Sequence, residues 1–525
     1  MINIKKLVDD GQFKNREYYP SNNDGSVKKI AFLIKDEKDV VYDCGGENFV
    51  FGDGISPIVI DGCENIVLKN FTIDYNCPQH IEGDVISLDM RSFVLKLRDG
   101  FFATVENGIF KSMTGDNHTL HGRLFCQEFD PVRKAPYANT GYMYLQCLDG
   151  ENTYDGSETW VTPAYLTDLG DGKIEFRLKE DFKGRFNVHL GGRLVLMLKD
   201  RQCSAIFITN SKNITLENVK IYRSPSMGVI CQLSENVLLK NVDVYVKEGR
   251  NEVLSSNADA THFTNCSGKI ELIGCRFYNM LDDGCNIHGI YGKIICVDKN
   301  QITIRLMHGQ QKGVNYIKSG NKIAILSSED YSYKATATAI ESVLSEDKIY
   351  LYVKLKDVEG EIESGFVVDN ITAMPEVYIS NCKTGNNRPR GFLLTSVKPM
   401  LVEDCLFENM ACGIHVTSDA RDWFESGKVD GLVIRNNEFR GCNYAWGTAA
   451  IVIDPSCSVE GVYVHKNIKI ENNVCNTYGY GLLYAKSVDG LIVKGNTVSK
   501  IYSERVPEVD YPDIEIQNCK NVAID

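Results

Sequence analysis

The feature that most constrains this chain is an internal repeat with a period of about 23 residues. Segments such as SKNITLENVKI (211–221) and SENVLLKNVDV (234–244) carry apolar residues at the same phase. Four gaps between neighbouring units equal 23 residues, and longer gaps hold an extra loop. The apolar residues that open the units are Ile66, Ile214, Val237, Ile270, Val377, Met400, Leu432, Ile468, Leu491 and Ile514.

Each unit consists of two short apolar segments around a bend, and no helical periodicity lies between units. Repeated short strands with β-branched residues, and with Asn or Gly at the bends, predict an all-β chain folded as a right-handed parallel β-helix. Asparagines at the bends can hydrogen-bond from coil to coil, and small thiols pack well in a core. The bend position holds Cys275, Cys382, Cys405, Asn437, Asn473, Asn496 and Cys519.

Two long segments interrupt the repeat by alternating apolar and polar residues between turn residues, which predicts inserted antiparallel, barrel-like β-modules. The predicted organisation is an N-terminal part of the β-helix (1–84), a first module (85–200), central coils (201–291), a second module (292–373) and C-terminal coils (374–525). The second module begins beside the acidic motif described below, so we expect it to form a wall of the same site.

The charge of the chain narrows the classes of partner. A net charge of −13 and a pI near 5.3 argue against nucleic acid, whose binders carry a basic stripe, and against anionic membrane surfaces. A neutral glycan or small molecule is favoured, because a polyanion would need a local basic patch. The sequence leaves the oligomeric state open, a homodimer included.

Targeting and redox signals are sparse. The N-terminus, MINIKKLVDDGQFKNREYYP, lacks an apolar core of signal-peptide length, so we expect a cytoplasmic protein, with export by another route left open. The eighteen cysteines show neither a CxxC pair nor zinc-ligand spacing. They are therefore predicted to be reduced core residues, and we expect no metal and no cofactor.

The phase of the repeat brings three carboxylates together. Asp259, in NADATHF, precedes an anchor by 11 residues, and Asp282, in LDDGCNIHG, follows Asp259 by 23 residues, which is one coil. Neighbouring coils of a β-helix lie about 4.8 Å apart. We therefore expect Asp259 and the Asp282–Asp283 pair to be stacked neighbours on one face.

Later coils continue this polar face. The segments GCNIHG (284–289), GFLLTS (391–396) and GIHVTS (413–418) align on their first glycine, and the polar loop SDARDWFESG (418–427) follows. The histidines either contact a substrate or fill the coil, and both interpretations stay open. The candidate substrate-binding residues are His262, Asn286, His288, Arg388, Arg390, His415, Asp419, Trp423 and Glu425.

This set of residues suits hydrolysis of a glycosidic bond, which needs one protonated carboxyl and one ionised carboxylate. Crowded acids push one pKa upward, which keeps one acid protonated near neutrality. Three carboxylates allow one acid and two groups that hold and deprotonate a water, an arrangement that inverts the anomeric centre. Trp423 suits stacking on a sugar, and Arg390 suits bidentate donation to hydroxyls.

At these residues the chain resembles a known family. The stretch 257–289 (NADATHFTNCSGKIELIGCRFYNMLDDGCNIHG) resembles the signature of glycoside hydrolase family 110, the α-1,3-galactosidases, and RPRGFLLTS (388–396) with GIHVTSDARDWFESG (413–427) resembles its downstream blocks. The resemblance covers essentially the whole chain, including two barrel modules inserted in a right-handed β-helix.

The resemblance implies metal-independent removal, with inversion, of terminal α-1,3-linked galactose from blood-group-B-type or linear Galα1,3Gal glycans. It implies that Asp282 is the general acid and that Asp259 and Asp283 share the general-base role. The preference between branched and linear glycans stays open. Many relatives are exported, which leaves the compartment of this chain open as well.

Three alternatives remain at this stage. A polygalacturonase-like hydrolase would share the β-helix and the paired aspartates, but its later Gly-His-Gly and Arg-x-Lys elements are missing. A calcium-dependent lyase would use its carboxylates as metal ligands. A non-catalytic, glycan-binding β-helix would not depend on Asp282.

Overall fold

The computed structural model describes residues 13–114, 117–138, 140–149, 157–198, 201–445, 447, 449–457 and 459–525. Within these ranges the chain forms 47 strands and a single short 3-10 helix, Gly309–Gln311. The predicted all-β class is confirmed. The described part of the chain contains no helix with the length and apolar character needed to span a bilayer.

Sheet I is a ladder in which successive coils each contribute one strand. Its strands pair in parallel, except that the first two pair antiparallel and that Glu425–Ser426 pairs antiparallel with Cys285–Ile290. The strands are Lys14–Tyr18, Ser26–Lys35, Ile55–Asp61, Ile206–Thr209, Val229–Gln232, Thr261–Thr264, Cys285–Ile290, Phe392–Leu394, Ile414–Val416, Glu425–Ser426, Ala449–Ile453, Gly481–Lys486 and Ile514–Gln517.

Sheet II is a second parallel ladder, to which each coil contributes one bent strand or two short strands. Apolar side chains of both sheets share one continuous core. The strands of sheet II are Lys38–Phe51, Glu64–Tyr75, Lys212–Ile221, Glu235–Val244, Ser267–Ile273, Arg276–Tyr278, Glu376–Ser380, Lys383–Gly385, Met400–Glu403, Leu406–Glu408, Asp430–Arg435, Glu438–Arg440, His465–Glu471, Val474–Thr477, Val488–Lys494, Thr497–Lys500 and Lys520–Ile524.

The apolar anchors of the repeat form one row in sheet II, from Ile66 to Leu491. The last predicted anchor is wrong, because Ile514 pairs with Leu483 in sheet I. Val522 instead continues the row after Leu491. The apolar spacing around Ile514 fits a strand of either sheet. The final coil contains a longer loop, so its sheet II strand comes later in the sequence than the 23-residue spacing predicts.

A buried ladder of polar side chains occupies one bend of the coils. The backbone N–H of Cys405 donates to Asn437 Oδ1 (3.0 Å). The backbone N–H and the side-chain Nδ2 of Asn437 both donate to Asn473 Oδ1 (3.0 Å each). Asn473 repeats this pattern with Asn496 (2.9 Å each). The predicted coil-to-coil asparagine bonds are thus present. Cys519 is an exception, because its thiol lies at another bend and accepts from the N–H of Val488 (3.4 Å).

Asparagines that are exposed or half-buried form further rows on the outside of sheet II. Asn236 donates to Asn213 (2.9 Å), which donates to Asn65 (2.7 Å), and all three have φ between 55° and 56°. Asparagine tolerates this left-handed backbone better than most side chains and bonds locally. The repeated Asn of the sequence therefore marks the kink that each coil makes.

The first insert is a ring of seven strands, closed because Arg193–Met197 pairs with both His80–Leu88 and Arg123–Asp130. Its pairings are antiparallel except that Met143–Cys147 and Val161–Gly170 run parallel, which the sequence pattern did not predict. Its strands, with a small three-stranded sheet, are His80–Leu88, Ser92–Leu97, Ala103–Glu106, Ile109–Thr114, Asn117–His121, Arg123–Asp130, Ala135–Pro136, Met143–Cys147, Val161–Gly170, Lys173–Leu178 and Arg193–Met197.

The second insert is a closed antiparallel barrel of six strands around its own apolar core. Val367–Asp369 closes it by pairing with both Gly292–Asp298 and Lys322–Leu326. The strands are Gly292–Asp298, Gln301–Leu306, Lys322–Leu326, Tyr333–Leu344, Tyr350–Gly360 and Val367–Asp369.

We expect Asn473→Ala to lower the free energy of unfolding by about 1–3 kcal/mol, because it removes the acceptor of the buried N–H of Asn437 and one donor to the carbonyl of Ile434. Urea denaturation followed by circular dichroism measures this loss. The control is Asn300→Ala, in an exposed turn of the second insert. Equal stabilities of the two variants would contradict a stabilising role for the ladder.

Candidate active site

A cleft of about 790 Å³ opens where loops beside the sheet I strands meet the segment that leaves the first insert. Ten of the twelve predicted site residues border it, together with Asn22 and Arg201, which were not predicted. The predicted residues that border the cleft are Asp259, Asp282, Asp283, Asn286, Arg388, Arg390, His415, Asp419, Trp423 and Glu425.

Asp283 occupies the register position next to Asp259 in the following coil. The backbone N–H of Ala260 donates to the carbonyl of Asp283 (2.9 Å), and the ladder offset here is 24 residues. The predicted 23-residue step from Asp259 to Asp282 is therefore one residue short, because this coil is one residue longer. Asp282 precedes that position at the cleft rim, and its side chain is 15% exposed against 1% for Asp283.

A column of glycines lets the functional loops stack closely. A Cβ at Gly391 would lie 2.3 Å from the carbonyl oxygen of Gly413, and one at Gly284 would lie 2.8 Å from that of Gly391. These contacts are too short for any side chain. Asp283 and Arg390 directly precede their glycines, so the column brings an acid and a base of successive coils side by side.

A buried amide joins the same two loops. Nδ2 of Asn387 donates to the carbonyl oxygens of Asp282 and Arg390, both at 2.8 Å. Asn387 in turn accepts from Nδ2 of Asn409 (2.6 Å), one coil further on. The backbone that carries the acids is thus held from behind by side chains that do not reach the cleft.

Two guanidinium groups are paired with two of the three carboxylates. Arg201 donates from Nη2 to Asp282 Oδ2 (2.5 Å), and Arg390 donates from Nε to Asp283 Oδ1 (2.8 Å). Burial raises the pKa of Asp259 well above its usual range, and the negative charge of Asp282 adds to this. Burial also raises the pKa of Asp283, although Arg390 opposes the shift. The cluster therefore retains a proton near neutrality.

A chain of hydrogen bonds runs from Asp259 away from the cleft. His262 Nδ1 lies 2.6 Å from Asp259 Oδ2, and its Nε2 lies 2.9 Å from Nε2 of His288, whose Nδ1 donates to the carbonyl of Gly289 (2.6 Å). Burial lowers the pKa of each imidazole to about 4. With both rings neutral, His262 must donate from Nε2 and accept at Nδ1. Asp259 then carries the proton that it shares with His262.

Glu425 enters the site from a different direction. Its short strand pairs antiparallel with Gly289 and Ile290, and its carboxylate accepts from Nδ2 of Asn22 (2.6 Å) and of Asn286 (3.4 Å). Burial alone would raise the pKa of Glu425, but the nearby histidines, Arg390 and the Asn22 amide lower it to about 2. Glu425 is thus a fixed negative charge at the cleft wall.

Basic residues of the later coils complete the floor. Nη1 of Arg390 lies 3.4 Å from Nδ1 of His415, and burial lowers the pKa of His415 to about 3, so this imidazole is neutral. The Arg388 guanidinium lies over the ring of Tyr142 from the first insert, 3.2 Å from its centroid. The first insert therefore reaches the edge of the cleft.

Asp419 holds the loop that presents Trp423. Its carboxylate accepts from three backbone N–H groups that follow it, including that of Trp423 (2.7 Å). The indole packs against His308 of the second insert (ring centroids 4.5 Å apart) and remains 42% exposed. Among the described residues that border the cleft, none comes from the second insert. The second insert was predicted to form this wall, but the wall is the Trp423 loop, which the insert contacts from behind through His308.

The structure separates the histidines that were predicted as substrate contacts. His415 borders the cleft, whereas His262 and His288 do not, although all three point to the same outer face of sheet I. His262 and His288 are buried there beside the carboxylates of Asp259 (2.6 Å from His262) and Glu425 (3.6 Å from His288). Arg201 and Asn22 were missed because both lie outside the repeat. The only sequence signal for Arg201 was its position directly after the first insert, where the chain returns to the coils that carry the aspartates.

Three carboxylates in this arrangement could hold a metal ion, since one oxygen from each lies within 4.8 Å of the others. The donor set argues against such a site. Arg201 and Arg390 already donate to Asp282 and Asp283, and their positive charges oppose a cation. The arrangement is better suited to moving protons than to binding calcium or magnesium.

Comparisons with known proteins agree with this chemistry. A family model described as a right handed beta helix region matches residues 356–520. α-1,3-Galactosidase A of Shewanella woodyi is 33% identical over 498 residues, which cover 93% of this chain and 78% of that protein. α-1,3-Galactosidase B of Bacteroides thetaiotaomicron (29%) and α-1,3-galactosidase A of Bacteroides fragilis (27%) each cover 97% of this chain, and 82% and 83% of their own lengths.

A β-helical chain with clustered carboxylates at the floor of a cleft, and with relatives of this kind, is an enzyme of the glycoside hydrolase class. Within that class, the chain belongs to the family of the α-1,3-galactosidases.

We expect Arg201→Gln to move the pH profile of kcat/KM to higher pH by at least about one unit. The guanidinium lowers the pKa of Asp259 and pairs with Asp282, so its loss makes the cluster more basic. Rates on an aryl α-galactoside across the pH range measure the shift. Arg305→Gln, at an exposed position of the second insert, is the control, and an unmoved Arg201→Gln profile would contradict charge balancing by Arg201.

Proposed function

We propose that this protein is an exo-acting, inverting α-1,3-galactosidase of glycoside hydrolase family 110, with its coils wound as a right-handed parallel β-helix. Its substrates are terminal α-1,3-linked galactosides of the blood-group-B type, linear Galα1,3Gal glycans, or both. The observation that carries this proposal is the trio of aspartates held between Arg201 and Arg390 at the floor of the cleft. The names of the relatives support the linkage and the sugar.

Asp282 is assigned as the general acid. It is the most exposed of the three aspartates and lies at the cleft rim, where the oxygen of a leaving group can approach it. Arg201 and the Asn387 amide fix its side chain and backbone in place. General acid catalysis requires this kind of fixed geometry together with access to the scissile oxygen.

Asp259 and Asp283 are assigned to the general base. Their side chains are almost completely buried, and one oxygen from each lies within 4.8 Å of the other. Because a water donates to oxygens at about 2.8 Å, one molecule can bond to both carboxylates at once. A water held in this way is oriented toward the anomeric carbon and loses its proton to one of the pair.

The protonation of the cluster has a consequence for turnover. Asp282 forms an ion pair with Arg201, whereas burial favours protonated Asp259 and Asp283. This is the distribution that one inverting cycle leaves behind, with the acid ionised and the base protonated. The next cycle then needs a proton to return to Asp282, and at oxygen spacings within 4.8 Å a water bonded between two carboxylates can relay it.

The number of carboxylates favours inversion over retention. Acid and nucleophile about 5 Å apart are typical of retaining enzymes, and the oxygens here lie at that spacing. A retaining mechanism, however, employs two carboxylates and leaves the third without a role. Two carboxylates buried side by side suit a shared water better than direct attack on carbon, so the product anomer decides between the mechanisms.

The sugar itself meets a mixed polar and aromatic surface. Arg388, Arg390 and His415 offer hydrogen-bonding groups on one side, and the exposed face of Trp423 offers a stacking surface on the other. Arg201 and Arg390 are paired with Asp282 and Asp283, and Arg388 is stacked on Tyr142, so the positive charges of the cleft are already engaged and poorly placed to bind a uronate. The cleft therefore favours a neutral sugar over galacturonate.

The test is hydrolysis of Galα1,3Gal and of the blood-group-B trisaccharide, with the first-formed anomer observed by NMR. We expect β-galactose as the initial product, and we expect the rate in EDTA to equal the rate without it. An α anomer would contradict the three-aspartate mechanism. Cleavage of polygalacturonate, without cleavage of α-galactosides, would overturn the proposed substrate.

A second test isolates the role of Asp282. We expect Asp282→Asn to lower kcat/KM on Galα1,3Gal by about 10²–10⁴-fold, because the leaving oxygen no longer receives a proton. The loss should be much smaller on 2,4-dinitrophenyl α-galactoside, whose phenolate leaves without protonation. Asp259→Asn and Asp283→Asn should impair both substrates alike, and Asp298→Asn, at an exposed position, is the control. Equal losses for Asp282→Asn on both substrates would contradict its role as the acid.

A further inference from the structure

The first insert carries a row of aromatic side chains on one face, here called the aromatic strip: Phe125, Tyr142, Tyr144 and Trp160. Phe125 and Tyr144 are paired across neighbouring strands, and the Tyr144 and Trp160 rings follow with centroids 4.9 Å apart. Their strand neighbours Leu124 and Leu145 point into the core. The alternation of the strands therefore places the aromatic residues on the outer face.

The strip begins beside the proposed general acid. The hydroxyl of Tyr142 donates to the carbonyl of Leu281 (2.6 Å), the residue before Asp282, and the Arg388 guanidinium stacks on the same ring. From there the strip runs away from the cleft, to Tyr144 and then Trp160. The general acid faces the oxygen of the leaving group. The leaving group therefore lies on the side of the cleft where the strip begins.

The far end of the strip is open to solvent. Tyr144 is 38% exposed and Trp160 is 56% exposed, although neighbouring exposed aromatics are unusual on a surface without a binding role. Polar groups flank them, since Arg123 donates to Gln146 (2.7 Å) and forms an ion pair with Glu158. Aromatic rings for the apolar C–H faces and polar groups for the hydroxyls are what a saccharide needs.

We propose that the aromatic strip binds the part of the glycan beyond the scissile bond, so that the enzyme selects extended oligosaccharides over short galactosides. This inference rests on the proposed function. Continuity with the cleft at Asp282 carries it, because the residual glycan must leave the cleft on the side of the acid. The ligand is a neutral oligosaccharide, and Tyr144 and Trp160 hold its second and later sugar units.

The experiment compares two substrates with the same terminal unit, the disaccharide Galα1,3Gal and a linear pentasaccharide that ends in it. We expect the unmodified protein to show a higher kcat/KM on the pentasaccharide. Trp160→Ala should lower the ratio of pentasaccharide to disaccharide kcat/KM by about tenfold, because the substitution removes one stacking contact with the longer substrate. Tyr352→Ala, which removes a similarly exposed ring from the second insert, is the control and should leave the ratio unchanged.

The outcomes separate this inference from the proposed function. Suppose that both substrates are cleaved and that Trp160→Ala does not change the ratio of pentasaccharide to disaccharide kcat/KM. This result would overturn the aromatic strip as a binding site but not the α-galactosidase activity. If the unmodified protein cleaves neither substrate, the proposed function is overturned. Sedimentation velocity of Trp160→Ala is measured in parallel, and a dimer-to-monomer change with an unaltered ratio would show an interface between copies, against the proposal.

Discussion

The backbone hydrogen bonds between successive coils are the interaction on which the rest of the structure depends. They hold equivalent residues of neighbouring coils about 4.8 Å apart, and they repeat along two parallel ladders. Any polar group that recurs at one register position is therefore forced against its counterpart. The same geometry produces a stabilising row from Asn437 to Asn496 and places Asp259 beside Asp283, two acids that would repel each other if both were ionised.

The acidic cluster persists because groups from outside the repeat compensate it. Arg201 arrives from the exit of the first insert, Asn22 from the N-terminal segment, and Glu425 from a strand that runs against the ladder. Two guanidiniums cannot neutralise all the carboxylates, so burial leaves protons on the site. Retention of a proton beside an ionised acid is what glycosidic cleavage requires, and it follows from the balance between desolvation and ion pairing.

The two inserts serve this site in different ways. The second insert packs against the Trp423 loop through His308 and leaves the floor to the coils. The first insert contributes Tyr142 directly beside Arg388, so its outer face continues the surface of the cleft. A repeat alone offers a flat, periodic face, and the inserts place side chains beside the cleft that the repeat does not supply.

The sequence by itself determined the β-helical repeat, the anchor row from Ile66 to Leu491 and the shared face of Asp259, Asp282 and Asp283, because all of these depend on spacing along the chain. It failed at Ile514 and Cys519, where one apolar pattern fits two sheets, and at the step from Asp259, where one extra residue changes the register. Tertiary structure alone decided that Arg201 pairs with Asp282 and that His262 is buried beside Asp259 without bordering the cleft. The reason is physical, since loops outside the repeat carry no periodic signal and the pKa of a carboxyl depends on burial and on neighbours that are distant in sequence.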